Sequence, residues 1–221
     1  MHLMIRNSNN YYLGKTILYL TLVLIAYLSS YLLKNIVITD EVITEHLSQQ
    51  LSIERIDELL DFRNKWAWVY YVLRPFIYLL KFTLITLWLL SGTILFGYKT
   101  SFKELFRIVL LAEFIWLIPS FVTLIWFGFI DVDYVLLDVR YFKPLSLLNF
   151  FNPSEIESWL KFPLQSLNLF EIAYMLVLAI GVKETLKKDY IEALNFTVPV
   201  YGSALVTWIV FMTFLSINLT S

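Results

Sequence analysis

Four ionisable side chains, Arg74, Lys81, Glu113 and Glu171, sit in or beside long apolar runs. A charge placed in hydrocarbon is costly, so such residues are candidates for ion paths, proton relays or paired structural charges. Lys81 lies about 7–8 Å below the outer edge of its run, at 1.5 Å per residue, and Glu171 has a similar outer depth in another run. An ion pair between Lys81 and Glu171 would satisfy both. Glu171 has a competing use, because it stands three residues after Asn168 and its carboxylate can hold the Asn168 backbone N–H. That structural use is favoured. Glu113 lies about 8–9 Å from the inner edge of its run. That depth puts Lys81 out of its reach. It is left protonated, bonded to a Tyr, Ser or Thr of a neighbouring helix, or facing a polar cleft. Arg74 precedes Pro75 at the outer interface, where a snorkelling side chain is expected.

Catalytic chemistry finds little support. The chain has no cysteine, which excludes disulfides, thiolate metal sites and cysteine nucleophiles. Only His2 and His46 supply imidazole, and both lie in polar segments. No phosphate-binding loop, dinucleotide fingerprint, zinc-helix pattern or nucleophile elbow occurs. No cofactor is expected and an enzyme is not. The net charge of −1 leaves no basic footprint for nucleic acid.

The elements that must position these residues are membrane helices. The 221 residues are 59% hydrophobic, against about half in a soluble domain, and the excess falls in blocks. Roughly 20 apolar residues cross a hydrocarbon core of about 30 Å. Five spans are predicted, over 16–33, 76–96, 108–130, 169–182 and 196–217. The fourth is short, and Lys183, Lys187 and Lys188 would lengthen it by snorkelling. The first is longer than a signal-peptide core and lacks a cleavage site after it, so it is read as a retained helix. The fold class is therefore all-α, a polytopic membrane bundle forming one domain over 1–221.

Arg6 and Lys15, then Lys99, Lys103 and Arg107, then Lys183, Lys187 and Lys188 form three basic segments. Five spans put all three on one side, which the positive-inside rule makes cytoplasmic. The N-terminus is then inside and the C-terminus outside. Ser101-Phe-Lys-Glu104 and Asp189-Tyr-Ile-Glu192 have capping-box form. In the outer loop 34–75, Ile53, Ile56, Leu59, Leu60 and Phe62 make one face of an amphipathic outer helix, lying on the outer interface or on the bundle, with acidic residues opposite. The aromatics at 66–71 mark the headgroup level. A short helix is predicted over 153–161, capped by Asn152. Pro119 and Pro199 should kink spans three and five. Gly202, Ser203 and Ala204 offer a surface for close helix contact. Asn218-Leu-Thr220 is a formal glycosylation sequon lying against the membrane.

The stretch Gly97-Tyr-Lys-Thr-Ser-Phe-Lys-Glu-Leu-Phe-Arg107, followed by Pro119, resembles the Yip1 family of five-span membrane proteins. So do Asn168-Leu-Phe-Glu-Ile172, Leu178-Ala-Ile-Gly-Val182 and the basic turn ending in Glu192-Ala193. The similarity is diffuse over about 12–217. It implies a non-enzymatic scaffold or adaptor in membrane organisation or trafficking, with membrane lipids and other membrane proteins as partners. The compact form resembles bacterial members, which implies a bacterial inner membrane. The GTPase-binding N-terminal motif of eukaryotic members is not found, and no site residue carries over. The alternative is a permease or transporter subunit with a polar path around Glu113.

Overall fold

A computed structural model describes residues 2–153 and 155–220, with side chains for 14–153 and 155–218. The side chains of His2, Arg6 and Thr220 lie outside the described residues. The chain is helical, with no strand among the described residues.

Helix α1, His2–Leu32, runs into a π-helical turn at Leu33–Val37. Helix α2, Asp40–Ser48, is started by Thr39, whose side chain accepts the Val42 N–H at 3.3 Å. Helix α3, Ile53–Leu95, is 43 residues long, about 64 Å at 1.5 Å per residue. The amphipathic segment at 53–62 is therefore not a separate outer helix. No glycine or proline interrupts the chain before Pro75, so the helix continues into the second apolar run.

The third run is broken where Pro119 requires it. Helix α4, Phe102–Ala112, gives way to a 3₁₀ turn at Glu113–Trp116, then α5, Leu117–Ile125, and a π turn at Trp126–Ile130. Pro119 cannot donate to the Ile115 carbonyl, and the 3₁₀ turn includes that residue. The capping box at Ser101 and Glu104 is formed.

Short elements follow: α6, Leu136–Tyr141, a 3₁₀ turn at Leu147–Phe150, and α7, Ser158–Ser166. The short helix thus begins later than Asn152 and Pro153 suggest. The Asn152 amide donates to Glu155 Oε1 at 2.8 Å, within a turn. Helix α8, Leu169–Leu186, is capped by Asn168. It ends at Lys187, a residue in the left-handed region with φ 53°. Helix α9, Tyr190–Thr220, is one unbroken helix through Pro199.

Four segments are long and apolar enough to cross a membrane: Gly14–Val37, Ile53–Leu95, Phe102–Ile130 and Tyr190–Asn218. Helix α8 spans 18 residues and carries Glu171, Lys183 and Glu184. The ends of these helices gather as the charge pattern requires. The Lys15 ammonium donates to the Lys103 carbonyl at 2.5 Å. Lys188 lies 5.7 Å from the Tyr98 ring, which in turn contacts Phe196. All three basic segments therefore meet at one end of the bundle. The main core runs through Leu22, Phe82, Leu105, Tyr174, Leu178 and Phe196. A smaller cluster of Val37, Leu124, Phe127 and Val139 closes the opposite end.

Glycines set the closest helix approaches. A Cβ on Gly92 of α3 would stand 2.5 Å from Val200 of α9, and one on Gly181 of α8 would stand 2.3 Å from Ile108 of α4. Gly202, by contrast, has nothing within 4 Å of such a Cβ. Its neighbour Ser203 meets α3 through a hydrogen bond from the Trp88 indole, at 3.1 Å.

Candidate functional site

Lys81, Glu113 and Glu171 come together in one layer of the bundle, with an arrangement the depth count did not foresee. The Lys81 ammonium pairs with Glu113 Oε1, not with Glu171. Counting Glu113 from Ile108 places it near the inner edge. Helix α4 starts at Phe102, however, so Glu113 is about 16 Å along it. Lys81 is about 21 Å from the Leu95 end of α3 by the same rise. The difference is within the reach of a lysine side chain. The first turn and a half of α4, charges included, already lies alongside the bundle.

Glu113 is 4% exposed and Glu171 is 6% exposed. The Lys81 side chain keeps 43% of its surface open, and its ammonium sits 5.4 Å from the centroid of the Trp116 ring. Lysine buries its stem and keeps its head accessible in this way, and the indole face supplies a cation–π contact. The break before Pro119 puts Glu113 and Trp116 at the two ends of one 3₁₀ turn.

Glu171 is used differently from the expected cap. Asn168 Oδ1 accepts the Glu171 N–H at 2.9 Å. The Glu171 carboxylate turns inward and accepts the Tyr201 hydroxyl of α9 at 2.6 Å. Lys81 remains within electrostatic reach of Glu171. Tyr174, fully buried, fills the space between, its ring 5.2 Å from Tyr201 and 6.2 Å from Trp116. The Tyr174 hydroxyl and Glu113 Oε2 are both buried without a hydrogen-bond partner.

Arg74 belongs to a second site and does not snorkel freely. Its guanidinium donates to the Ala26 carbonyl at 2.9 Å, to Ser30 Oγ, and to the Tyr78 hydroxyl at 2.9 and 3.1 Å. The rings of Tyr27, Tyr70 and Tyr78 surround it at 5.3–5.8 Å. Arg74 thereby ties α3 to α1. Two further bonds do the same: Tyr19 to the Pro75 carbonyl at 2.6 Å, and Tyr27 to the Tyr71 carbonyl.

Chemically, the layer holds two hydrogen-bonded pairs, Lys81 with Glu113 and Tyr201 with Glu171. Among the described residues, no group of three or more His, Asp or Glu side chains gathers to hold a metal ion. Tyr174, Tyr201 and Trp116 escaped the reading of the sequence. One signal was available: Glu171 and Tyr174 are spaced by three on one helix, so they share a face. No protein-family model, characterised protein or solved structure matches the chain.

Proposed function

We propose that the chain is an integral membrane protein with five crossings, the N-terminus inside and the C-terminus outside a bacterial inner membrane. In this reading it is a non-enzymatic scaffold or adaptor of Yip1-like type, surrounded by lipid and partnered by other membrane proteins. The carrying observation is how the charges in the apolar segments are held. Lys81 and Glu113 join α3 to the end of α4, and Glu171 and Tyr201 join α8 to α9. These contacts brace helices, which is what a scaffold needs from intramembrane charge. The meeting of three basic segments at one end supports five crossings, with α8 as the fourth.

A permease is the second reading. It is favoured by the half-open Lys81 and by Glu113 Oε2, buried without a hydrogen bond. Proteoliposomes with a proton gradient separate the two. The scaffold reading expects no proton-coupled flux, and a stoichiometric complex with a membrane partner that survives Glu113→Gln. Flux that this substitution abolishes would replace the scaffold with the permease.

A further inference from the structure

At the end of the bundle opposite the basic segments, the loop after α6 meets the start of α8 in a short antiparallel bridge. Ser146 pairs with Asn168, the Leu147 N–H donates to the Leu167 carbonyl at 3.0 Å, and the Leu169 N–H donates to the Leu145 carbonyl at 3.1 Å. Side chains alternate across such a pairing. Ser146 is buried, whereas Leu145, Leu147, Leu167 and Leu169 are each 42–57% exposed. Phe150 and Phe151, also exposed, extend the patch. A serine inside and four leucines outside reverse the polarity of a surface that faces water.

The turn that leads into the bridge is strained. Pro144 opens it, the Ser146 N–H donates to the Lys143 carbonyl at 3.2 Å, and Leu145 sits at φ 58°. Glycine or asparagine ordinarily fills that place in a proline turn, because a Cβ makes the left-handed region costly. Such strain persists where the surroundings hold it, yet the Leu145 side chain is turned away from the protein.

Charge, continuity and length all commit the patch to lipid. The stretches 144–153 and 162–170 contain no charged residue, and a lysine stands immediately before each, Lys143 and Lys161. Lysine is the residue that keeps its head at the headgroup level while its stem lies on apolar surface. The patch also continues down α8, where exposed Leu169, Ile172, Leu176 and Ile180 recur at intervals of three and four. In the membrane reading, the helix from Lys183 up to Leu169 covers about 21 Å of a hydrocarbon core of about 30 Å. About 9 Å of hydrocarbon is then left beyond the start of α8, and the bridge stands there.

We infer that this bridge, with Phe150 and Phe151, is an interfacial anchor whose leucine face is embedded among the acyl chains of the leaflet opposite the basic end. It completes the crossing that α8 alone leaves short. The inference rests on α8 crossing the membrane as proposed above, but not on scaffold or permease activity.

The chain has no cysteine, so single nitroxide labels can be placed at will. Leu147→Cys and Leu167→Cys, on the two sides of the bridge, are labelled in the full chain in nanodiscs of choline and glycerol phospholipids. Ile172→Cys serves as the reference within α8 and Glu155→Cys as the reference in water. Collisions with oxygen, which concentrates in hydrocarbon, are compared with collisions with a water-soluble nickel chelate. Oxygen should dominate at 147 and 167, as at 172, and the chelate at 155. Either bridge label suffices if the other variant fails to fold. Chelate dominating at the bridge but not at 172 overturns the anchor and leaves the membrane reading standing. A bridge label that neither quencher reaches is covered by protein, a second copy or another partner, and this too overturns the anchor. Chelate dominating at 172 as well overturns the crossing by α8 and the anchor with it.

Discussion

Lys81 shows how a single side chain can reconcile a charge with an apolar wall. Its stem crosses from α3 to the turn before Pro119, and its ammonium is shared between Glu113 and the Trp116 face. Removing one partner of a buried pair leaves the other uncompensated, which costs about 3–5 kcal/mol when both are fully buried. Lys81 is partly open and Glu113 can take a proton, so the loss here should be smaller, roughly 1–3 kcal/mol. Lys81→Met should therefore lower the thermal midpoint in detergent, and adding Glu113→Gln should restore part of it. A double variant no more stable than the single one would show the pair to be uncoupled.

The elements carry their own accommodation of proline. Within α3, Pro75 has no N–H for the Tyr71 carbonyl, and the Tyr27 hydroxyl of α1 takes that place. The bond is thus both a repair of α3 and a tie to α1. Tyr27→Phe should cost about 1 kcal/mol of stability. In a Pro75→Ala background, where the helix can supply its own N–H, the same change should cost clearly less. Equal losses in both backgrounds would detach the tyrosine from the proline. The length of α3 has another consequence. Exposed Leu59, Phe62, Trp66, Tyr70, Leu73 and Ile77 recur at intervals of three and four, so one exposed apolar stripe runs along α3 from the 53–62 segment into the second apolar run without a break. The 53–75 segment is an extension of a helix long and apolar enough to span, and its direction follows that helix.

At the scale of the whole molecule, the proposed orientation rests on the end at which lysine and arginine collect. Reporter fusions at residues 99 and 187 should read as cytoplasmic, and those at 45, at 155 and after the C-terminus as external. A C-terminal reporter on the cytoplasmic side would remove α8 as a crossing. Helix α8 is the informative case. By composition it falls short of a spanning segment, with three charges in 18 residues. Yet its two ends meet opposite ends of the bundle: Asn168 bridges to Ser146 in the loop after α6, and Lys188, just past its end, reaches Tyr98.

The amino-acid sequence by itself determined the helical class, the long apolar segments, the caps at Ser101, Asn168 and Asp189, and the break around Pro119. Those properties depend on local spacing and on which backbone groups a residue can satisfy. Tertiary structure alone decided the partners. Glu113 met Lys81 because the start of α4 lies beside α3, so its depth counts from Phe102 and not from the last charge of the inner loop. Glu171 met Tyr201 because α8 and α9 form a hairpin. Gly92 and Gly181, not Gly202, became the close approaches because helix rotation sets which small residue faces a neighbour. Depth, rotation and register are properties of pairs of helices, and no residue pattern within one helix encodes them.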